Sequence, residues 1–316
     1  MDIGTYENIV CSISKKSWDF DKVYAELVEE FPAERKESVR SILAQEYQKH
    51  IKKGFKAGHS DVRKAAVYRS VRQAAANGEP DGVIVRLAQQ AAASSALTAR
   101  MVLEEYLSEN AKKDGREVTK PGEYKDQALK SQTSMLMKDT TLIEDGKLAM
   151  EIFLATIKDD SYGPVAEAIK HSIGEEHEQK LKDCLTKLDI PFSDENVLRG
   201  QGYDKTPDIK LEVPIAVDGH IINWIESKAL FGDPEAHQGY LRDQFWSYMN
   251  RFGSGMVIYW FGYINQLDTN RNAGIILSDH FPTNIVRYKP EMIKDFSCPV
   301  DENIQVNESL GSLAIS

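Results

Sequence analysis

The chain has 316 residues, 41% hydrophobic and 28% charged, with a formal net charge of −10. That length and balance suit a folded protein with about two cores, and the acidic total argues against a surface that coats nucleic acid indiscriminately. Three scattered cysteines, Cys11, Cys184 and Cys298, form no CxxC pair. This argues against a zinc ribbon or a disulfide framework and points to a reducing compartment, nucleus or cytoplasm. The longest apolar stretch, Met256 to Ile264, is too short to span a membrane, and Met-Asp-Ile-Gly-Thr does not read as the start of a signal peptide.

Residues 1–112 read as a helical N-terminal domain. Trp18, Val23, Leu27 and Phe31 begin an apolar stripe, and Val39, Ile42, Leu43 and Tyr47 continue it at helical spacing. Gly54 and Gly58 mark a break. Residues 49–72 carry eight Lys or Arg against one acid, Asp61. That segment reads either as a solvated helix face or as a surface that contacts DNA phosphates. Beyond Asn77-Gly78-Glu79-Pro80, Val83, Leu87, Ala88 and Ala91 form one helical stripe, and Leu97, Met101, Val102, Leu103 and Leu107 another. The Ser94-Ser95 turn between them, with Arg100 on the second helix, gives a helix-turn-helix-like unit. Such hairpins mostly serve packing, and that role is favoured.

Residues 113–146 are polar and charged, with Gly115, Pro121, Gly122 and Gly146 scattered through them, the mark of a linker with one short helix near 125–137. Residues 147–289 read as a second domain. Helical spacing returns at Leu148 to Ile157 and at Val165 to Leu188. From Thr206 the period changes to two: Ile209, Leu211, Val213, Ile215 and Val217 alternate with Asp208, Lys210 and Glu212. Asp218-Gly219 is a hairpin turn, and Ile221 to Ala229 is the returning strand. A helix from His237 to Arg251, a buried strand at Met256–Ile264 and another at Gly274–Leu277 follow. The class is therefore α+β or α/β, with a helical first half. Residues 290–316 lose periodicity and turn acidic, which predicts a disordered tail.

The chemistry-bearing residues lie on the hairpin. Asp208 opens its first strand after Pro207, and Glu226 and Lys228 stand two apart on the second, so they share a face. A register running symmetrically from the turn puts residue 208 opposite about 229, beside the Glu226–Lys228 pair. Two carboxylates can hold Mg²⁺ or Mn²⁺, and a lysine can orient water or offset charge on a phosphate. The Ser227 carbonyl offers a further ligand. In the upstream helix Glu176 and Glu178 flank the stripe Ile169, Ile173, Leu181, Cys184 and Leu188, and spacing leaves both open as a helix ligand. His177 reads as a hydrogen-bonded core histidine rather than a ligand. Gln244 and Tyr248 match a QxxxY pattern on the following helix.

Longer runs go further. Gly202-Tyr203-Asp204-Lys205-Thr206-Pro207-Asp208, Ile225-Glu226-Ser227-Lys228-Ala229, Asp243-Gln244-Phe245-Trp246-Ser247-Tyr248 and Phe281-Pro282-Thr283-Asn284-Ile285-Val286 resemble the codanin-interacting nuclease family of animals. The likeness is dense from about 160 to 287 and looser before, where Gln45-Glu46-Tyr47-Gln48-Lys49-His50 is similar to the family's N-terminal region. The resemblance implies a restriction-endonuclease-like αβββαβ core of the PD-(D/E)XK type. It implies metal-dependent DNA cutting at Asp208, Glu226 and Lys228, with Glu178 preferred as the helix acid and Gln244 and Tyr248 in support. It also implies binding to codanin and, through it, a part in chromatin assembly and erythropoiesis. The competing reading is a nuclease-fold scaffold that has lost catalysis.

Overall fold

The computed structural model describes residues 1–17, 19–58, 61–91, 93–113 and 123–288. The tail expected to be disordered, and Trp18, lie outside those residues. The architecture is mixed: helices in the first half, then a six-stranded sheet flanked by helices. Among the described residues no helix is long and apolar enough to cross a membrane.

The first three helices are α1 (Ile3–Ser14), α2 (Phe20–Glu30) and α3 (Lys36–Gly58). Asp2 and Asp19 begin the first two by accepting from backbone amides two or three residues into the helix. The three helices do not form a core alone. Ile9, Val23, Leu27 and Ile42 pack around Phe231 and Ile264, which belong to the sheet region. Polar bonds fix the same docking: Gln45 Nε2 donates to the Phe231 carbonyl at 2.8 Å, and Ser38 Oγ donates to that of Phe261 at 2.6 Å. Helix α3 runs through Gly54 and ends at Gly58, so of the two glycines expected to mark a break the second does.

A separate bundle comprises α4 (Asp61–Ala76), α5 (Val83–Gln90), α6 (Ser95–Lys113), α7 (Glu123–Lys138) and α8 (Gly146–Ile157). Its core joins Val71, Ile84, Val102, Leu103, Leu136 and Ile152. Hence Leu148–Ala155, expected with the second domain, pack with the helical bundle, and the expected linker contains a packed helix, α7. Helix α6 sits at the centre, and no residue from Ala93 to Ala111 is exposed. A recognition helix needs a free face to enter a DNA groove; the residues of α6 up to Ala111 are buried or half-buried, and Arg100 is turned to the Ser134 hydroxyl, which fits a packing role for the α5–α6 hairpin. The basic stretch is also partly engaged, with Lys49 bound to Glu46, Lys64 to Glu104 and Arg72 to Asp145.

Helix α9 (Pro164–Lys187) leads into β1 (Phe192–Asp194), α10 (Glu195–Gly200), β2 (Ile209–Val217) and β3 (His220–Lys228). Then come α11 (Pro234–Tyr240), a π-helical turn (Leu241–Phe245), α12 (Trp246–Phe252), β4 (Gly255–Tyr259), β5 (Ile275–Ser278) and β6 (Ile285–Arg287). The sheet order is β1-β2-β3-β4-β5, with β6 also on β2. The β1–β2–β3 and β2–β6 pairings are antiparallel, and β3–β4–β5 are parallel. Leu181 and Leu185 of α9 pack on one face with Ile209, Ile225 and Ile258. Phe245 and Tyr248 cover the other with Trp224, Val257 and Tyr259.

Three sequence expectations shift. The buried strand stops at Tyr259. In α9 it is Leu181 and Leu185 that are buried, while Ile169 and Ile173 are exposed. In β2, Val213 is exposed because the strand bulges between Lys210 and Ile215. Pro214 lies in that interval and has no N–H to give the ladder, so pairing breaks there.

Candidate active site

The bulge decides how the site is assembled. From the turn to Ile215 the pairing is symmetric (Val217 with His220, Ile215 with Ile222), but beyond it Ile209 pairs with Ile225 and Lys210 with Trp224. Asp208 therefore comes opposite Glu226, not about 229. The turn itself holds Asp218 and Gly219 at positive φ, 48° and 82°, where glycine is unstrained.

The predicted residues meet on this frame. The Asp208 backbone N–H donates to Glu226 Oε2 at 3.2 Å, and the Ser227 N–H donates to Asp208 Oδ2 at 2.7 Å. Lys228 Nζ donates to Glu226 Oε1 at 2.7 Å and to Gln244 Oε1 at 3.1 Å. It also lies 4.6 Å from the centre of the Tyr240 ring, an attractive cation–π position. Trp224 continues this face, and it explains the start of β4: a Cβ at Gly255 would stand 2.1 Å from the Trp224 ring. The π-helical turn that carries Gln244 adds a residue to the helix locally, a device common at functional sites.

Electrostatics mark the acids. Burial first, and the neighbouring Glu226 charge second, push Asp208 well above the ordinary carboxylate range. Burial also raises Glu226, against the opposing pull of Lys228. For Lys228 burial works against the charged form, but Glu226 and Asp208 outweigh it and hold the ammonium above its usual range. Tyr248 packs edge-on against Trp224, 5.3 Å between ring centres, and burial with the nearby acids raises its hydroxyl.

Glu178 is half-buried and raised mainly by burial, with charges of Glu226 and Lys228 both acting on it. Glu176 is exposed and makes no hydrogen bond or ion pair among the described residues. His177 packs against Trp260 and Phe261, and its Nδ1 lies 2.8 Å from the Ile173 carbonyl oxygen. The Ser227 side chain turns away from the acids and accepts from Trp260 Nε1 at 2.8 Å. Among the described residues no three His, Cys, Asp or Glu side chains form a ready-made metal cluster.

A human protein named CDAN1-interacting nuclease 1 is 44% identical over 260 residues, which is 82% of this chain and 88% of the human one. This chain belongs to the CDAN1-interacting nuclease 1 family. The Danio rerio member is 47% identical over 78% of this chain and 77% of its own, and the Gallus gallus member 41% over 84% and 89%. A family model described as "Protein of unknown function TPD sequence-motif" matches residues 144–281. No solved structure matches this chain. The match to CDAN1-interacting nuclease 1 thus takes in the whole hairpin and the helix before it.

One acid beside the site was not singled out from sequence. Glu195, at the start of α10, accepts from Arg199 at 2.6 Å and from Thr206 Oγ1 at 3.3 Å, and its charge acts on Glu226, Glu178 and Tyr248. Its signal was the capped helix start Ser193-Asp194-Glu195, but only the β1–β2 pairing shows where that start points.

Proposed function

We propose that the chain is a divalent-cation-dependent nuclease that cuts DNA and binds codanin, built on a PD-(D/E)XK core. The observation that carries this is the contact of Asp208, Glu226 and Lys228 on neighbouring strands of one hairpin. Apart from the short α10 between β1 and β2, the order α9-β1-β2-β3-(α11, α12)-β4 is consistent with an αβββαβ core, and the relatives' name supplies the words nuclease and CDAN1-interacting. Localisation in nucleus and cytoplasm remains part of this reading.

The donor chemistry fits Mg²⁺ or Mn²⁺. Two oxygen-donor carboxyls stand side by side, each raised by burial, and a hard cation between them would relieve their mutual repulsion. Asp208 and Glu226 would hold it, with the Ser227 carbonyl and Glu178, rather than exposed Glu176, as further donors. Such a cation supplies a lowered pKa for bound water and an offset for charge on the phosphate. Lys228 is held by Glu226, Gln244 and the Tyr240 face. It can orient the attacking water and stabilise the phosphate oxygens as negative charge builds. Gln244 fixes the ammonium, and Tyr248 walls the site.

A second reading is a scaffold that binds codanin without cutting. It is favoured by the hydrogen bonds that Asp208 and Glu226 already accept, and by the fact that among the described residues no third His, Cys, Asp or Glu gathers with them into a metal cluster. Cutting assays on branched, flapped and single-stranded DNA with Mn²⁺ decide between them. Turnover lost in both Asp208→Asn and Glu226→Gln supports the nuclease; turnover unchanged in both overturns it.

A further inference from the structure

A groove of about 680 Å³ runs between α3 and α11, and one of its walls is Tyr240, the ring that carries Lys228 on its face. That volume lies in the range of ligand-sized clefts, about 300–1,000 Å³. The lining includes Leu97, Tyr162, Leu230, Gly239 and Tyr240. The Tyr162 ring is held in place by its hydroxyl, which donates to the Gln48 carbonyl at 2.7 Å.

The charges around this apolar lining are largely spent. Lys49 lies 3.5 Å from both Asp233 and Glu235, and Arg242 pairs with Asp243 at 2.7 Å. Lys52, exposed on the same rim, has no ion-pair partner among the described residues. The groove thus offers aromatic and aliphatic surface and, among the described residues, an uncommitted cation, Lys52, at its edge.

We propose that this groove binds an unpaired nucleic-acid strand and delivers it to the Lys228 side of the site. The proposal rests on the nuclease reading above and names its substrate class. Proteins that hold single strands combine aromatic platforms for base faces with cations that follow the backbone. Tyr162 and Tyr240 supply the first and Lys52 the second. A duplex hides its base faces in the stack and presents its phosphates outward, so it has nothing to lay on such a lining. Continuity with the site favours a strand over a peptide, because the groove shares Tyr240 with Lys228.

The test is fluorescence anisotropy in EDTA, with labelled ten-residue oligothymidylate and a ten-base-pair duplex as probes. The wild type is expected to bind the single strand at least about tenfold tighter than the duplex. Gly239→Phe fills the groove, and a Cβ there meets nothing within 4 Å, so the fold tolerates it. Gly239→Phe and Lys52→Glu are each expected to weaken the single strand about tenfold, at unchanged Tm. Duplex binding as tight as single-strand binding overturns the proposal, as does wild-type affinity in both groove variants. No oligonucleotide binding, with codanin capture lost in Gly239→Phe, also overturns it and assigns the groove to a protein. Duplex cutting that survives in Gly239→Phe removes the groove and leaves the nuclease standing. Single-strand binding lost in the groove variants of a chain that never cuts does the reverse.

Discussion

Both halves of the molecule bury carboxylates, and they treat them in opposite ways. In the bundle, Glu151 accepts from the Gly82 and Ile84 amides at 2.6 and 2.9 Å and so caps α5 from another helix. Asp159 accepts from the Ser94 hydroxyl and from the amides of Ala96, Ser161 and Tyr162. Each of these four oxygens has a neutral donor. On the hairpin Asp208 receives one amide, from Ser227, and faces the Glu226 carboxylate. Burial alone therefore does not mark a functional acid. The balance between donors and neighbouring charge sets Asp208 apart: it meets a second buried carboxyl, while the Lys228 ammonium hydrogen-bonds Glu226.

The largest effect that separates the two regions is on catalysis. Asp208→Asn should lower cutting on the order of a thousandfold, about 4 kcal/mol of barrier, with unchanged circular dichroism. Equal effects on cutting from Asp208→Asn and Asp159→Asn would erase the distinction. Stability should move the other way. Asp159→Ala leaves three amides and a hydroxyl without an acceptor and should destabilise the chain by about 3 kcal/mol in urea unfolding. Asp208→Asn removes a repelled charge and should cost less than about 1 kcal/mol.

The pH dependence sharpens the same contrast. Asp208 and Glu226 are raised above their unfolded values. Their contribution to stability is full below the unfolded carboxylate range and is lost as pH rises through the raised values. Without metal, the wild type should lose stability relative to Asp208→Asn as pH rises above the ordinary carboxylate range, by roughly 2–4 °C in Tm. Mn²⁺ should restore it at pH 7 by binding the folded form. A wild-type curve parallel to that of Asp208→Asn, with or without Mn²⁺, would show that the pair is not under this strain.

Much of the hairpin was legible because its signals are local. Asp218-Gly219 specifies the turn, period-two alternation specifies the strands, and Glu226 and Lys228 share a face whatever the register. The register was not legible, since Pro214 shifts it and a symmetric count from the turn cannot see the shift. The stripe in α9 misled for another reason: Ile169 and Ile173 have helical spacing, but the sheet they would cover begins only beneath Leu181 and Leu185. The docking of α1–α3 onto Phe231 and Ile264 joins residues far apart in the chain, 186 positions for Gln45 and Phe231, beyond the reach of periodicity. Glu195 was hidden likewise, because its neighbours are fixed by strand pairing and not by spacing.

The smallest effect tests the π-helical turn. A regular helix through 241–245 would rotate Gln244 relative to the sheet, and Lys228 would lose the acceptor at 3.1 Å. Gln244→Ala removes that acceptor and leaves Glu226 and the Tyr240 face in place. One hydrogen bond to a charged group is worth about 1.5 kcal/mol, so cutting should fall roughly tenfold. On the proposal that Lys228 serves the phosphate rather than metal capture, Mn²⁺ affinity should hold while kcat drops. A fall in Mn²⁺ affinity equal to the fall in kcat would show instead that Gln244 supports the carboxylates, and Lys228 would then belong with the binding of the cation.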